Sequence, residues 1–177
     1  MGNDFKDLFG DGPPDNENRL PPDDRAAEPE NRGQRALHEK ECKVVNVYEA
    51  TYANPDLESP PDKTTFVLLR DKHGREFRIF VLPDVAYAVH MALENEASER
   101  PFTHDLMKNV IERLGATLER VTIDDLWQNT FYARITLSKG SETIDVDARP
   151  SDAIALALRF RVPIYVAESV LESAQGE

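Results

Sequence analysis

The stretch Asp145-Val146-Asp147-Ala148-Arg149-Pro150-Ser151-Asp152 gathers three carboxylates and a guanidinium within eight residues. Asp145 and Asp147 are two apart at the end of an expected strand, so both carboxylates point to one face. Pro150 and Ser151 then open a helix, proline suiting a first helical position and serine an N-cap. Asp152 falls in the first turn, where the helix dipole favours an anion. Arg149 sits at the joint and can reach the carboxylates or a bound phosphate. A plainer alternative uses the same residues: Arg149 pairs with Asp145 or Asp147, while Ser151 and Asp152 only cap the helix. His104 and Asp105 are the other candidates, an imidazole and a carboxylate at a second helix start. There the alternative is a surface histidine in a cap.

The elements that must position these groups follow from hydrophobic period. Strands are expected over 44–52, 63–70 and 75–82, forming an antiparallel meander with a turn at Asp71-Lys72-His73-Gly74. In the third strand Phe77, Ile79 and Val81 alternate, and Phe80 and Leu82 imply that its second face is also partly covered. Pro83 starts a helix with Val85, Ala88, Val89, Ala92 and Leu93 as its apolar stripe. Thr103 caps the next helix, with Leu106, Val110, Ile111 and Leu114 as its buried face and Gly115 as its stop. Three strands follow over 116–123, 130–137 and 142–147, with 124–129 as a turn region. Phe131, Ala133, Ile135 and Leu137 share one face. A helix after Ser151, a short strand over 162–166 and a final helix over 167–174 complete the chain. The order βββααβββαβα gives an α+β fold, a mixed, largely antiparallel sheet with helices packed on it.

Composition bounds the rest. Residues 1–42 read as an acidic, Pro-rich, disordered tail with few large apolar residues, and 43–177 as one domain. Phe5, Leu8 and Phe9 in that tail read as incidental rather than as a docking motif. No apolar run approaches the roughly 18 residues of a membrane span, so no membrane partner is expected. The N-terminus lacks the apolar core of a secretory signal. Cys42 is the only cysteine, which excludes an internal disulfide and a multi-cysteine zinc site and makes a reducing cytoplasm the default. Residues 1–42 hold eleven acidic and six basic residues, hence −5 of the formal net charge of −12, and the domain carries the remaining −7. That balance argues against tight, non-specific polyanion binding. It leaves room for a local basic patch or a metal-bridged phosphate.

Four blocks then name a family. They are Arg100-Pro101-Phe102-Thr103-His104-Asp105-Leu106, Phe131-Tyr132-Ala133-Arg134, the run from Asp145 to Ala157, and Pro163-Ile164-Tyr165-Val166. In order and spacing the chain closely resembles the bifunctional nuclease (DNase-RNase) domain family from about Lys43 to Val170. The resemblance implies an α+β fold, homo-oligomeric assembly, and DNA and RNA as substrates. Two departures stand out. Leu82 and Val85 occupy positions where the family is expected to carry a glycine and then a glutamate.

The implied mechanism is phosphodiester hydrolysis. Asp145, Asp147 and Asp152, together with Asp105, would hold Mg²⁺ or Mn²⁺, hard cations suited to oxygen ligands. His104 would move a proton, imidazole being the side chain that titrates near neutral pH. Arg149 would stabilise charge on the transferring phosphate, and Asp147 would be essential to cleavage. The rival is a non-enzymatic oligomeric interaction module, in which the same polar residues only fix the two helix starts.

Overall fold

The computed structural model describes residues 38–52, 62–96, 98–128 and 130–174, all within the compact unit Leu37–Glu177. Residues 1–37 of the expected tail, with Phe5, Leu8 and Phe9, and the expected loop over 54–61 lie outside those residues. The elements are β1 (Glu39–Tyr52), β2 (Asp62–Asp71), β3 (Glu76–Val81), α1 (Pro83–Leu93), α2 (Thr103–Arg113), β4 (Thr117–Trp127), β5 (Thr130–Lys139), β6 (Glu142–Ala148), α3 (Pro150–Phe160), β7 (Ile164–Ala167) and α4 (Glu168–Ala174). The α+β class, the element order and the mixed, mostly antiparallel sheet are as the sequence implies.

Among the described residues seven strands form one sheet in the order β3-β2-β1-β7-β4-β5-β6. Two antiparallel meanders, β1–β2–β3 and β4–β5–β6, flank β7. The short β7 pairs antiparallel with β1 and parallel with β4. The α3 helix is the centre of the core. Ala153, Ile154, Ala155, Leu156 and Ala157 are all buried, and α3 packs against α1, α2, β3, β4 and β5. Its alanines let neighbouring elements approach closely, while Ile154 and Leu156 each contribute about 1.5–3 kcal/mol by burial.

Several local expectations give way to tertiary pairing. Strand β1 begins at Glu39, so residues 39–42, expected in the tail, lie in the sheet. Their partners are Ala167 to Ile164 of β7, which no local pattern reveals. Strand β4 runs to Trp127 through the expected turn region. A bulge falls between Ile123 and Asp125, after which Asp125, Leu126 and Trp127 pair with Tyr132, Phe131 and Thr130. Arg134 of β5 meets the bulged Asp124 at 3.2 Å, which makes a carboxylate tolerable there.

The α2 helix is rolled away from its expected orientation. Leu106 and Leu114 are 57% and 64% exposed and Val110 is also exposed, leaving Ile111 and His104 as its buried residues. Polar bonds to α3 set the roll. His104 meets Asp152, Asp105 meets Arg159, and Lys108 donates to the Arg159 carbonyl at 2.9 Å. The expected partial cover over the second face of β3 comes to Phe80 as the Phe66 ring, 6.0 Å away, and it leaves Phe80 and Leu82 largely exposed.

Candidate active site

Two helix starts meet at the site. The α3 helix begins at Pro150, with Arg149 as its N-cap in extended conformation and no side-chain cap bond. Ser151 is therefore inside the helix rather than its cap, because proline's fixed φ starts the helix one residue earlier. The α2 helix begins at Thr103, with Phe102 as N-cap. Asp105 reaches back to accept the Phe102 N–H at 3.0 Å. That bond satisfies a donor the first turn leaves open and moves the cap from Thr103 to Phe102.

His104 is brought to Asp152 across 48 residues of sequence. Its Nε2 lies 3.0 Å from Asp152 Oδ1, and the ring is only 6% exposed. The other oxygen, Oδ2, accepts the Arg149 Nε–H at 2.6 Å. Burial works to raise the Asp152 carboxyl, but the bonds to Arg149 and His104 outweigh it and hold the group below its ordinary value. Asp152 is thus ionised at neutral pH and can only accept. It follows that Nε2 carries a proton and donates to Oδ1. Arg149, raised by its bond to Asp152, is 66% exposed and is the solvent-facing member of the group.

Asp105 does not join them. Its Oδ2 accepts from Phe102, and its Oδ1 accepts the Arg159 Nε–H at 2.5 Å. Arg159 Nη1 in turn donates to the carbonyls of Ala88 and Ala155 at 3.1 and 3.0 Å. This group laces α1, α2 and α3 together behind His104.

Asp145 and Asp147 lie on another face. They sit opposite Thr136 and Arg134 in the β5–β6 register. Ala133 and Ile135, which alternate with those two, point into the core on which α3 packs. Both carboxylates therefore share the sheet face turned away from α3 and from Asp152. Thr136 Oγ1 donates to Asp145 Oδ1 at 2.7 Å, and Arg134 Nη1 lies 3.8 Å from Asp145 Oδ2. Strand period says that Asp145 and Asp147 share a face but not which one. Arg149 pairs with Asp152 rather than with either of them. Among the described residues no group of three His, Cys, Asp or Glu side chains is gathered closely enough to hold a metal ion. The donors expected for Mg²⁺ or Mn²⁺ are divided between the two sides of the sheet and do not fit one cation within this set.

Beside the junction lies a cleft of about 310 Å³, lined in part by Phe80, Leu82, Val85, Phe131, Arg149 and Ser151. Leu82 and Val85, the two departures from the family pattern, are thus its wall. Arg159, Arg134 and Asp124 are not among the candidate residues that the sequence offers. Each is spaced unremarkably in sequence and acquires its partner only from another element.

A family model described as the Bifunctional nuclease domain matches residues 67–177. An uncharacterized protein of Mycobacterium tuberculosis is 41% identical over 115 residues, covering 64% of this chain and 68% of that protein. The Bifunctional nuclease 1 proteins of Oryza sativa subsp. japonica and Arabidopsis thaliana are 31% and 28% identical over 112 and 109 residues, or 62% and 60% of this chain. In each plant relative the match covers 34% of the protein's own length.

Proposed function

The chain belongs to the bifunctional nuclease domain family, and from that premise we propose that it hydrolyses phosphodiester bonds in DNA and RNA. The observation that carries the reading is Asp152 bridging His104 and Arg149 beside the cleft. His104 Nδ1 takes a proton from water as its oxygen bonds to phosphorus. The bond from phosphorus to the leaving oxygen breaks, and the proton returns to that oxygen. Asp152 keeps Nε2 protonated and stabilises the imidazolium that forms, as in other carboxylate–imidazole pairs. Arg149 offers a guanidinium to the charge on the transferring group. Asp105 is a positioning residue that holds the start of α2 against α3.

The test is cleavage of labelled single- and double-stranded DNA and RNA with Mg²⁺, Mn²⁺ or EDTA. His104→Gln should lower the rate about 10²–10⁴-fold with an unchanged circular dichroism spectrum. Asp147→Ala, on the far sheet face, should stay close to the parent level. Parent-level activity in His104→Gln would remove the imidazole from the mechanism. A loss in Asp147→Ala as deep as that of His104→Gln would return the carboxylate pair to it. The EDTA arm tests the Mg²⁺ or Mn²⁺ requirement directly.

We also propose that the chain forms a homo-oligomer. The exposed ridge of Leu106, Val110 and Leu114 on α2 favours assembly. The same ridge favours the second reading, an interaction module without catalysis. Sedimentation of the parent beside Leu106→Glu tests assembly. A Leu106-dependent oligomer that cleaves nothing under any condition would select the module.

A further inference from the structure

We propose that the outer face of the β1–β2–β3 meander is a platform on which unpaired bases of a single-stranded nucleic acid stack, feeding the cleft beside Arg149. The inference rests on the nuclease reading and names the class of its substrate.

Strand register builds the platform. Tyr48 of β1 pairs directly with Phe66 of β2, and Phe66 with Phe80 of β3. The three rings form one row across three strands, on the face opposite the buried Val67 and Ile79. Tyr48 and Phe66 stack at 5.6 Å between centroids, and Phe66 and Phe80 meet edge-on at 6.0 Å. Phe80 is 60% exposed and Tyr48 40%, so two ring surfaces stay in water at the ends of the row. The Arg78 guanidinium lies 5.2 Å from the Phe66 centroid and pairs with no carboxylate among the described residues. On the same face the Arg70 charge cancels with Glu76.

This combination suits a single strand better than a duplex. Stacking on an aromatic face needs an unpaired base, and one unpaired cation suits its phosphate. A duplex is held chiefly by many cations along its backbone, which this acidic chain lacks here. Continuity supplies the second argument. Strand β3 is the sheet edge, and Phe80 belongs both to the row and to the lining of the cleft. A strand lying across the row would pass from Phe80 toward Arg149, behind which stand Asp152 and His104. With Arg78 and Arg149 as the phosphate contacts, the salt slope of log K should be shallow, about −1.4.

The experiment is fluorescence anisotropy with labelled 12-nucleotide DNA and RNA, as single strands, duplexes and abasic single strands. The full chain carries His104→Gln to prevent cleavage, and cleavage by the parent chain is measured in parallel. Single strands should bind more tightly than duplexes. Phe80→Ala, Tyr48→Ala and the abasic strands should each weaken binding about tenfold, and Phe80→Tyr should keep it. Equal binding of single strands and duplexes, or no effect of Phe80→Ala and of base removal, would overturn the platform. If the parent still cleaves in that case, the nuclease reading survives it. Stacked binding without parental cleavage would uphold the platform and remove the nuclease reading. No binding of any oligonucleotide, with self-association lost in Phe80→Ala, would give this face to a second copy and overturn the proposal.

Discussion

Asp152 divides its oxygens between His104 and Arg149, so one side chain fixes both the proposed proton carrier and the proposed phosphate ligand. Its lowered titration keeps the carboxylate charged throughout the neutral range. Cys42 behaves in the opposite sense. Burial first, and then the neighbouring Asp71 charge, push its thiol up to about 12. A thiol reacts as its thiolate, so the native protein should resist a disulfide reagent at pH 8 and react at full rate only in denaturant. Rapid labelling of the native chain would show that Cys42 is not enclosed. At this scale the junction was legible in part. Asp152 is visible as a candidate because a helix start favours a carboxylate, and Arg149 and His104 because they stand at the two helix starts beside carboxylates. Their separation from Asp145 and Asp147 is not, because the backbone crosses from one side of the sheet to the helix layer within Ala148–Pro150.

The helices show how polar bonds can override an apolar stripe. Hydrophobic period pointed Leu106, Val110 and Leu114 inward, but three polar contacts from His104, Asp105 and Lys108 roll α2 so that only Ile111 of that set is buried. Urea denaturation should therefore separate two substitutions that sequence pattern makes equivalent. At protein concentrations where the parent is monomeric, Leu106→Glu should change stability by less than about 0.5 kcal/mol, and Ile111→Ala should cost about 2–5 kcal/mol. Similar losses would mean that α2 packs by its stripe after all. The strands were easier to read where alternation was clean, as in Phe131, Ala133, Ile135 and Leu137. They are harder at β1, where Glu39 to Cys42 are strand through the remote β7, and at β4, where a bulge at Asp124 breaks the alternation just ahead of a tight hairpin.

Across the whole molecule, Arg75 ties the β2–β3 turn to the start of α4. It donates to Asp71 Oδ2 at 2.7 Å and to Glu168 Oε1 and Oε2 at 2.5 and 3.1 Å. Burial works to raise the Asp71 carboxyl, but bonds from the Arg75 side chain, the Arg75 N–H and the His73 N–H hold it low. The Arg75 bonds also lower Glu168. Both groups are depressed in the folded state, so their contribution is complete above the ordinary carboxyl values of about 3.9 and 4.3. It is lost as pH falls through the folded values. Arg75→Met should lower the urea midpoint at pH 7, with the gap to the parent narrowing below about pH 4. A gap independent of pH would mean that Arg75 acts through packing alone. The sheet itself carries a consequence for the order of synthesis. Its two meanders meet through β7, whose residues Ile164–Ala167 leave the ribosome after every other strand. Each meander can form hairpins as it emerges, but β1 waits more than a hundred residues for its neighbour. Until then the nascent chain holds two unpaired inner edges, at β1 and at β4, and unpaired strand edges are prone to aggregate.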